Sequence, residues 1–596
     1  MYLRSHKRTK DGKEHRYFSI VEARRLSSGK SVQKRCIYLG EINDSQQDRW
    51  RKTLEVFDES TQRFQAMSLF PDDREVPAQA LDSVQVKLGE MQLRNARAFG
   101  DCWLGCELWR QLQLDQFWNQ RLKPGREAVA WSQVLQLLVV NRLIDPGSEF
   151  RLHRHWFDQT AMADLLGVDF AVASKDRLYR CLDHLLAHKQ DLFVFLRQRW
   201  QDLFQARFDV LLYDLTSTYL EGEAEGIPSA KRGYSRDGRP DCLQLVIALV
   251  VTTDGFPLAY EVMDGNTSDK TTLKGFLAKI ESMYGKAERV WVMDRGIPTE
   301  AVLKEMREAD PPVRYLVGTP RAKMRKLEQQ WLELPWQQVR DSVAVKLAAE
   351  GGEMYVLAKS EGRQAKEMAM RRKKLARLLW KLRAMRRSCP VRDQLLLRIG
   401  AAKAAAGRAF GFVEIRLPSA GEAVTRETFT FRVRKEKLRK AERVDGHYLL
   451  RSNQVGEAPA VLWERYIQLT QIEAAFKSMK GELGIRPIFH QLQRRVEAHI
   501  FVAFLGYCLI VTLKSRLAAY APGLTPKAVL EKLAKIQMID VWLPTTDGRY
   551  LVMPRYTEPE PDQVILLHML KLSLPPQTPP RIKAKSTEIP KSLLKM

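Results

Sequence analysis

The stretch FDVLLYDLTSTY (208–219) decides the fold when it is read beside RVWVMDRG (289–296). In each, a run of apolar residues ends in an aspartate: Val210–Tyr213 leads to Asp214, and Val290–Met293 leads to Asp294. Short, almost wholly apolar runs of this kind predict strands buried on both faces. A third acid, Glu473, lies in YIQLTQIEAAFKSMKGELGIRP (466–487), which reads as a helix. Two strand-end aspartates and one helical glutamate can converge on a pair of divalent metal ions. One ion then activates the attacking oxygen of a phosphodiester reaction and the other stabilises the leaving oxygen. Mg²⁺ suits such a site because it takes hard oxygen ligands and leaves positions for substrate phosphates, with Mn²⁺ as a substitute.

Working outward, Asp209–Tyr213 reads as a strand, and Leu243–Val251 and Leu258–Met263 as a hairpin around Thr253-Asp254-Gly255. Thr271–Tyr284 reads as a helix, Arg289–Met293 as a strand, Thr299–Glu308 as a helix and Val313–Gly318 as a strand. The order βββαβα, then β and a later helix, is that of an RNase H-like core, so the expected class is α/β. Residues 319–462 delay the last helix. There AVKLAA, MYVLAKS, GFVEIRLP, TFTFRVR and YLLRSN predict a mostly β insertion domain around a helical, basic centre. Between Glu361 and Phe410 there are 15 Lys and Arg against 3 acids. MRRKKLARLLWKLRAMRR (370–387) interleaves leucines and Trp380 with cations, as an amphipathic helix does. It reads as a solvated face or, favoured in a basic chain with a phosphodiester site, as a contact to DNA backbone.

Ahead of the core, residues 1–95 are expected to hold a β-hairpin, RYFSIVEARRL and SVQKRCIYLGEI joined by SSGK, followed by a polar helical region from residue 43. Residues 96–206 have helical spacing throughout and read either as a DNA-end reader or as a scaffold bundle. Residues 207–318 form the first part of the core and 463–520 complete it with the glutamate helix. A C-terminal helical region (521–574) and a disordered, Pro- and Lys-rich tail (575–596) follow.

The chain has 596 residues, and 97 Lys and Arg against 71 Asp and Glu leave a net charge of +26. That excess favours a polyanionic partner, of which nucleic acid is the usual one. The apolar run Phe501–Leu513 is too short to span a bilayer and predicts a buried helix, hence no membrane. The N-terminus is basic without an apolar core, unlike a secretory signal. Seven cysteines are scattered without CxxC pairs. Cys102 and Cys106, one helical turn apart, read as core residues rather than zinc ligands, in a reducing cytoplasm.

On a helix advancing about 100° per residue, Leu469, Glu473, Lys477 and Lys480 share the face of Tyr466. Glu473 then completes the metal site, Lys477 and Lys480 hold phosphates as point charges, and Tyr466 stacks on or hydrogen-bonds a nucleotide. Asp237 in SRDG reads as a turn residue, and His499 in VEAHIFVAF as a core histidine.

With these residues in place, the chain resembles the DDE transposases of bacterial insertion sequences, in the subgroup with a Tyr-x2-Arg-x3-Glu-x6-Lys signature. Tyr466, Leu469, Glu473 and Lys480 stand at those spacings. Leu469 departs from the usual arginine, and Lys477 or Arg465 are its candidate replacements. YDLTSTY (213–219), GYSRDGRPDCLQ (233–244), GNTSD (265–269), VMDRG (292–296) and DGHYLLRSN (445–453) carry the resemblance further. It implies a bacterial, nucleoid-associated enzyme that binds the terminal inverted repeats of its own element and hydrolyses phosphodiesters at both ends. The freed 3′-hydroxyls would then attack target DNA within a homodimeric synaptic complex. Relatives often free their ends through a DNA hairpin. No covalent protein–DNA intermediate is implied, so Ser217 and Tyr219 are not nucleophiles. Two rival readings are a decayed transposase that only binds DNA, and an RNase H-like nuclease or resolvase without strand transfer.

Overall fold

The β-rich runs RYFSIVEARRL and SVQKRCIYLGEI lie within the first 42 positions, and the chain there forms three strands, β1 (Tyr2–Lys10), β2 (Lys13–Arg25) and β3 (Ser31–Ile42). They make an antiparallel sheet of order β1-β2-β3, with Tyr2 opposite Val21 and Arg16 opposite Ile42. The expected hairpin is therefore one strand larger, and its SSGK turn lies outside the described residues. The computed structural model describes residues 2–10, 13–25, 31–42, 54–58, 63–67, 86–122, 129–285, 288–319, 335–340 and 343–583. Its chain divides into two compact units. One comprises Met1–Gln205, Ser217–Leu245 and Ala475–Met596, and the other Ala206–Thr216 and Val246–Ala474.

In the first unit the helical expectation for 43–95 is overturned. The described residues form strands β4 (Leu54–Asp58), β5 (Arg63–Met67) and β6 (Gln92–Ala98), and the single helical turn is Leu88–Glu90. The described residues between 100 and 204 are mainly helical, with helices Gly100–Gln111, Leu114–Arg121, Trp131–Ile144, Lys175–Leu182 and Lys189–Phe204. They pack on Gln493–Tyr520, a helix long and apolar enough to cross a membrane, of which 94% of the most apolar window is buried inside the protein. Trp118 meets Phe501 edge-on and Phe193 meets Phe504. This makes the helix the core of its unit.

The second unit is built on a large mixed sheet. Strands β7 (Val210–Tyr219), β8 (Gln244–Thr252), β9 (Pro257–Asp264), β10 (Val290–Met293) and β11 (Arg314–Thr319) alternate with helices Asp269–Tyr284 and Glu300–Glu308. Strands β12 (Gln337–Arg340), β13 (Val343–Glu350), β14 (Glu353–Ser360) and β17 (His447–Ser452) extend the same sheet. The order across it is β12-β13-β14-β17-β11-β10-β7-β8-β9. Between β14 and β17 come helices Glu361–Ser388 and Arg392–Ala406, then the ribbon β15 (Val413–Arg416) and β16 (Thr430–Val433).

The β-like pieces of the insertion are strands, but they do not form a separate, mostly β domain. Four strands between 337 and 452 join the main sheet, because Val345, Val356, Leu357, Leu449 and Leu450 bury their side chains there. What stands apart is a helical hairpin held by Leu378, Leu382, Met385, Leu395 and Ile399.

The C-terminal region, expected to be helical, contains strands β18 (Gln537–Pro544) and β19 (Tyr550–Tyr556) besides helices Pro526–Leu533 and Pro561–Met569. Within the tail, Arg581–Lys583 is strand β20, and residues 584–596 lie outside the described residues. These strands complete a sheet of order β5-β4-β20-β19-β18-β6. Both corrections share one cause: β6 pairs with β18, and β4, besides its local partner β5, pairs with β20, hundreds of residues away, in pairings that local periodicity does not report.

Candidate active site

Three parallel strands set a row of positions. Tyr213 on β7 is level with Met293 on β10, and Met293 is level with Val317 on β11. One residue further on, Asp214, Asp294 and Gly318 therefore stand side by side, at strand spacings of about 4.8 Å. Asp294 follows the last residue of β10. Asp214, however, is inside β7, which continues through buried Thr216, Ser217 and Thr218. The strand-end reading thus holds for Asp294 and not for Asp214. The Leu215 amide donates to Asp214 Oδ1 at 2.8 Å.

Glu473 comes from helix Leu469–Lys477, preceded by helix Pro459–Ile467, which packs on β10, β11, β13 and β14. The expected single helix is in fact three pieces, since a π-helical turn, Ser478–Glu482, follows. Asp214, Asp294, Glu473 and Tyr466 line one cavity of about 260 Å³, with Arg295, Gly318, Thr319, Arg363, His447, Tyr448 and Leu469 among its other walls. Glu473 and Asp294 are exposed, as ligands for an incoming cation must be, and Leu469 is buried. A larger cavity of about 620 Å³, between Glu281, Trp291, Asp310 and Asn453, contains none of the three carboxylates.

Tyr466 donates from its hydroxyl to Asp294 Oδ1 at 3.4 Å. Burial first, and then the charge of Asp294, push this phenol well above its usual range, so it stays protonated and a donor. Gly318 makes room for it: a Cβ there would lie 2.7 Å from the Tyr466 hydroxyl. Tyr448 stacks on Tyr466 at 6.2 Å and lies 4.9 Å from Trp463, while the Arg363 guanidinium sits 4.9 Å from the Tyr448 ring centre.

DGHYLLRSN, read from sequence only as part of a resemblance, proves to be the anchor of this wall. Asp445, 2% exposed, takes both Nη groups of Arg371 from the long helix. The Gly446 amide donates to Glu367, and a Cβ at Gly446 would strike Ser360 O and Gln364. Arg451 bonds Glu300 and Glu353, and Ser452 bonds the Tyr315 carbonyl. The motif thereby fixes the start of helix Glu361–Ser388 beside the cavity. Sequence reasoning missed Arg363, Tyr448 and Gly318, whose places depend on pairings such as Asp445 with Arg371 that only the folded chain makes.

None of the cations nominated from sequence is among the residues lining this cavity. Arg465 is committed to Gln454 and Glu457. Lys477 is the last residue of the Glu473 helix and Lys480 lies in the π-helical turn that follows; both are counted with the other compact unit. There Lys480 donates to Asp237 at 2.8 Å, and Arg486 pairs with the same carboxylate. Asp237 does occupy a turn, as expected, but buried and doubly paired. In that unit Glu149, His490 and His499 also bring ligand atoms within 4.8 Å of one another. Buried Arg142, 3.4 Å from His499 Nδ1, already supplies the positive charge. Burial would raise the Glu149 carboxyl, but His490, His499 and Arg142 hold it at about 2. This is a buried ion-pair network, and a dication there would face Arg142.

Residues 206–509, just over half of the chain, match the family described as Transposase DDE domain. The chain belongs to that family. Membership carries transposition in the general sense, with a DNA partner and the divalent-metal-dependent DNA cleavage and rejoining common to DDE transposases. No curated protein sequence matches the chain. Among solved structures, the cryo-EM piggyBac transposase synaptic complex with hairpin DNA aligns over 73% of this chain and 78% of that chain, at 8% identity and a TM-score of 0.34.

The donor set fits the metal the family implies. Asp214, Asp294 and Glu473 offer only carboxylate oxygens, in a cavity with room for solvent or phosphate.

Proposed function

We propose that the protein is the transposase of a bacterial insertion sequence, acting in the cytoplasm as a homodimer on paired DNA ends. Its β7–β11 segment and glutamate helix form an RNase H-like core. Asp214, Asp294 and Glu473 would hold two Mg²⁺ ions. When bound, these supply Lewis-acid activation of the attacking oxygen and stabilisation of the leaving oxygen. The single observation that carries this reading is the meeting of three carboxylates, from two neighbouring strands and one helix, on one cavity wall.

The chain's own residues do the positioning. Tyr466 holds Asp294 by a hydrogen bond and, with Tyr448, presents ring faces on which an unpaired base at the cleavage point can stack. Cleavage breaks the P–O bond at an element end with water as nucleophile. Strand transfer then joins the freed 3′-oxygen to a target phosphorus and releases a target 3′-hydroxyl. The helical hairpin, whose cationic face carries Lys373, Lys374, Arg377 and Lys381 around Trp380, would track the DNA backbone outside the cavity. The helical region 96–206 would read the terminal repeats.

The test is incubation with the element's end DNA and Mg²⁺, with Asp294→Asn as control. End cleavage that vanishes in the control supports the reading. Leu469, an apolar residue at the cavity wall, favours one second reading, a protein that binds DNA without cutting it. Binding without cleavage by both proteins would establish that alternative.

A further inference from the structure

A phosphodiester entering this cavity needs a cation, and among the described lining residues that cation is Arg295 or Arg363. Arg295 follows Asp294 in the turn after β10, where Gly296 adopts φ +93°. Arg363 differs in being built into a rigid support. It occupies the first turn of the 28-residue helix Glu361–Ser388, where the Arg363 amide donates to the Ser360 hydroxyl. The next turns of the same helix are fastened by Asp445 with Arg371 and by the Gly446 amide with Glu367. Glu367 also accepts from Arg363 Nε at 3.3 Å, and the guanidinium lies over Tyr448. Two of the five donors of an arginine fork sit on Nε and its neighbouring edge, so the outer Nη groups remain the ones suited to a phosphate.

One further observation points to an anionic ligand here. The Thr319 hydroxyl, on the same cavity wall, is buried and has no hydrogen-bond partner among the described residues. Arg363 lines the same cavity as the three carboxylates.

We infer that Arg363 is a strand-positioning residue: its guanidinium, with the Thr319 hydroxyl as a second donor, holds a phosphodiester of the DNA strand beside the cleavage point. This rests on the transposase reading above. It also assigns to the insertion a direct part in the site, supplying the charge that buried Leu469, on the same cavity, lacks.

The test compares wild type with Arg363→Ala, Arg363→Lys and Arg363→Ala/Leu469→Arg. The probe for binding is a fluorescent random-sequence duplex with a 3′-hydroxyl end, titrated between about 50 and 200 mM salt. Arg363→Ala should flatten the log–log salt slope by about 0.9, the value for one phosphate contact. Arg363→Lys should keep that slope while losing cleavage, because a point charge does not reproduce the fork. Leu469→Arg should restore part of the slope to Arg363→Ala. A wild-type slope and wild-type cleavage in Arg363→Ala would overturn the inference while leaving the transposase reading intact, provided Asp294→Asn is inactive. If the wild-type protein binds no DNA, both fall together.

Discussion

The Tyr466 hydroxyl rests 3.4 Å from Asp294 Oδ1, in a space that exists because residue 318 has no side chain. The three parts come from a helix, a strand end and a neighbouring strand, so the position of the carboxylate depends on the absence of one methyl group. Gly318→Ala should displace Tyr466 and lower cleavage about 10- to 100-fold, with a stability cost of about 1–3 kcal/mol from overpacking. Tyr466→Phe removes the atom that the new methyl would strike. The double variant should therefore show a coupling of about 0.5–3 kcal/mol in a double-mutant cycle of cleavage rates. Strictly additive effects would mean that the close approach does not set the geometry.

Three carboxylates around one cavity repel one another until a cation arrives. Asp294→Asn and Glu473→Gln should consequently have opposite effects with and without metal. In chelator each should leave the thermal midpoint unchanged or raise it. With Mg²⁺ at about 100 times its dissociation constant, wild type should gain about 2.7 kcal/mol and the variants much less. Thermal unfolding with and without Mg²⁺ measures both. Equal stabilisation of wild type and variants would place the ion elsewhere.

The strands that carry the aspartates were legible because burial on both faces makes a nearly continuous apolar run, and Val210–Tyr213 and Val290–Met293 are such runs. Asp214 was misplaced to a strand end because Thr216, Ser217 and Thr218 look polar in sequence although all are buried. Strands β4 and β6 were read as helix because nothing near them announces β18 and β20. Helix arithmetic from Tyr466 to Lys480 assumed one regular helix, whereas the chain there is three pieces ending in a π turn, where the spacing of 3.6 residues no longer holds. Arg363 was invisible for a different reason. Its place depends on Asp445 and Gly446, some eighty residues later, and only the folded chain brings them together.

Lys480, nominated as a phosphate contact, is held in a partly buried pair with Asp237. Burial lowers its pKa, and the Asp237 hydrogen bond opposes that. Lys480→Ala should cost about 1–3 kcal/mol in chemical denaturation, because buried Asp237 loses one of two donors. Removing Asp237 as well should recover part of that loss. Unchanged stability in Lys480→Ala with a flatter salt slope for DNA binding would return Lys480 to the role of DNA contact.

His499 gives the fold a pH dependence with a definite sign. Burial, and then the charge of Arg142, hold the imidazole well below its ordinary value of 6.5. The folded state therefore stays neutral while the unfolded chain takes up a proton below pH 6.5. Stability present above that value is lost as the pH falls, by about 1.4 kcal/mol per pH unit for one such group. Glu149 contributes no slope between about pH 5.5 and 7.5, because its carboxyl, at about 2 folded and 4.5 unfolded, is ionised in both states across that window. Denaturant midpoints across this range should fall towards the acid end in wild type and flatten in His499→Gln. An equal slope in the variant would show that the acid sensitivity arises at other histidines.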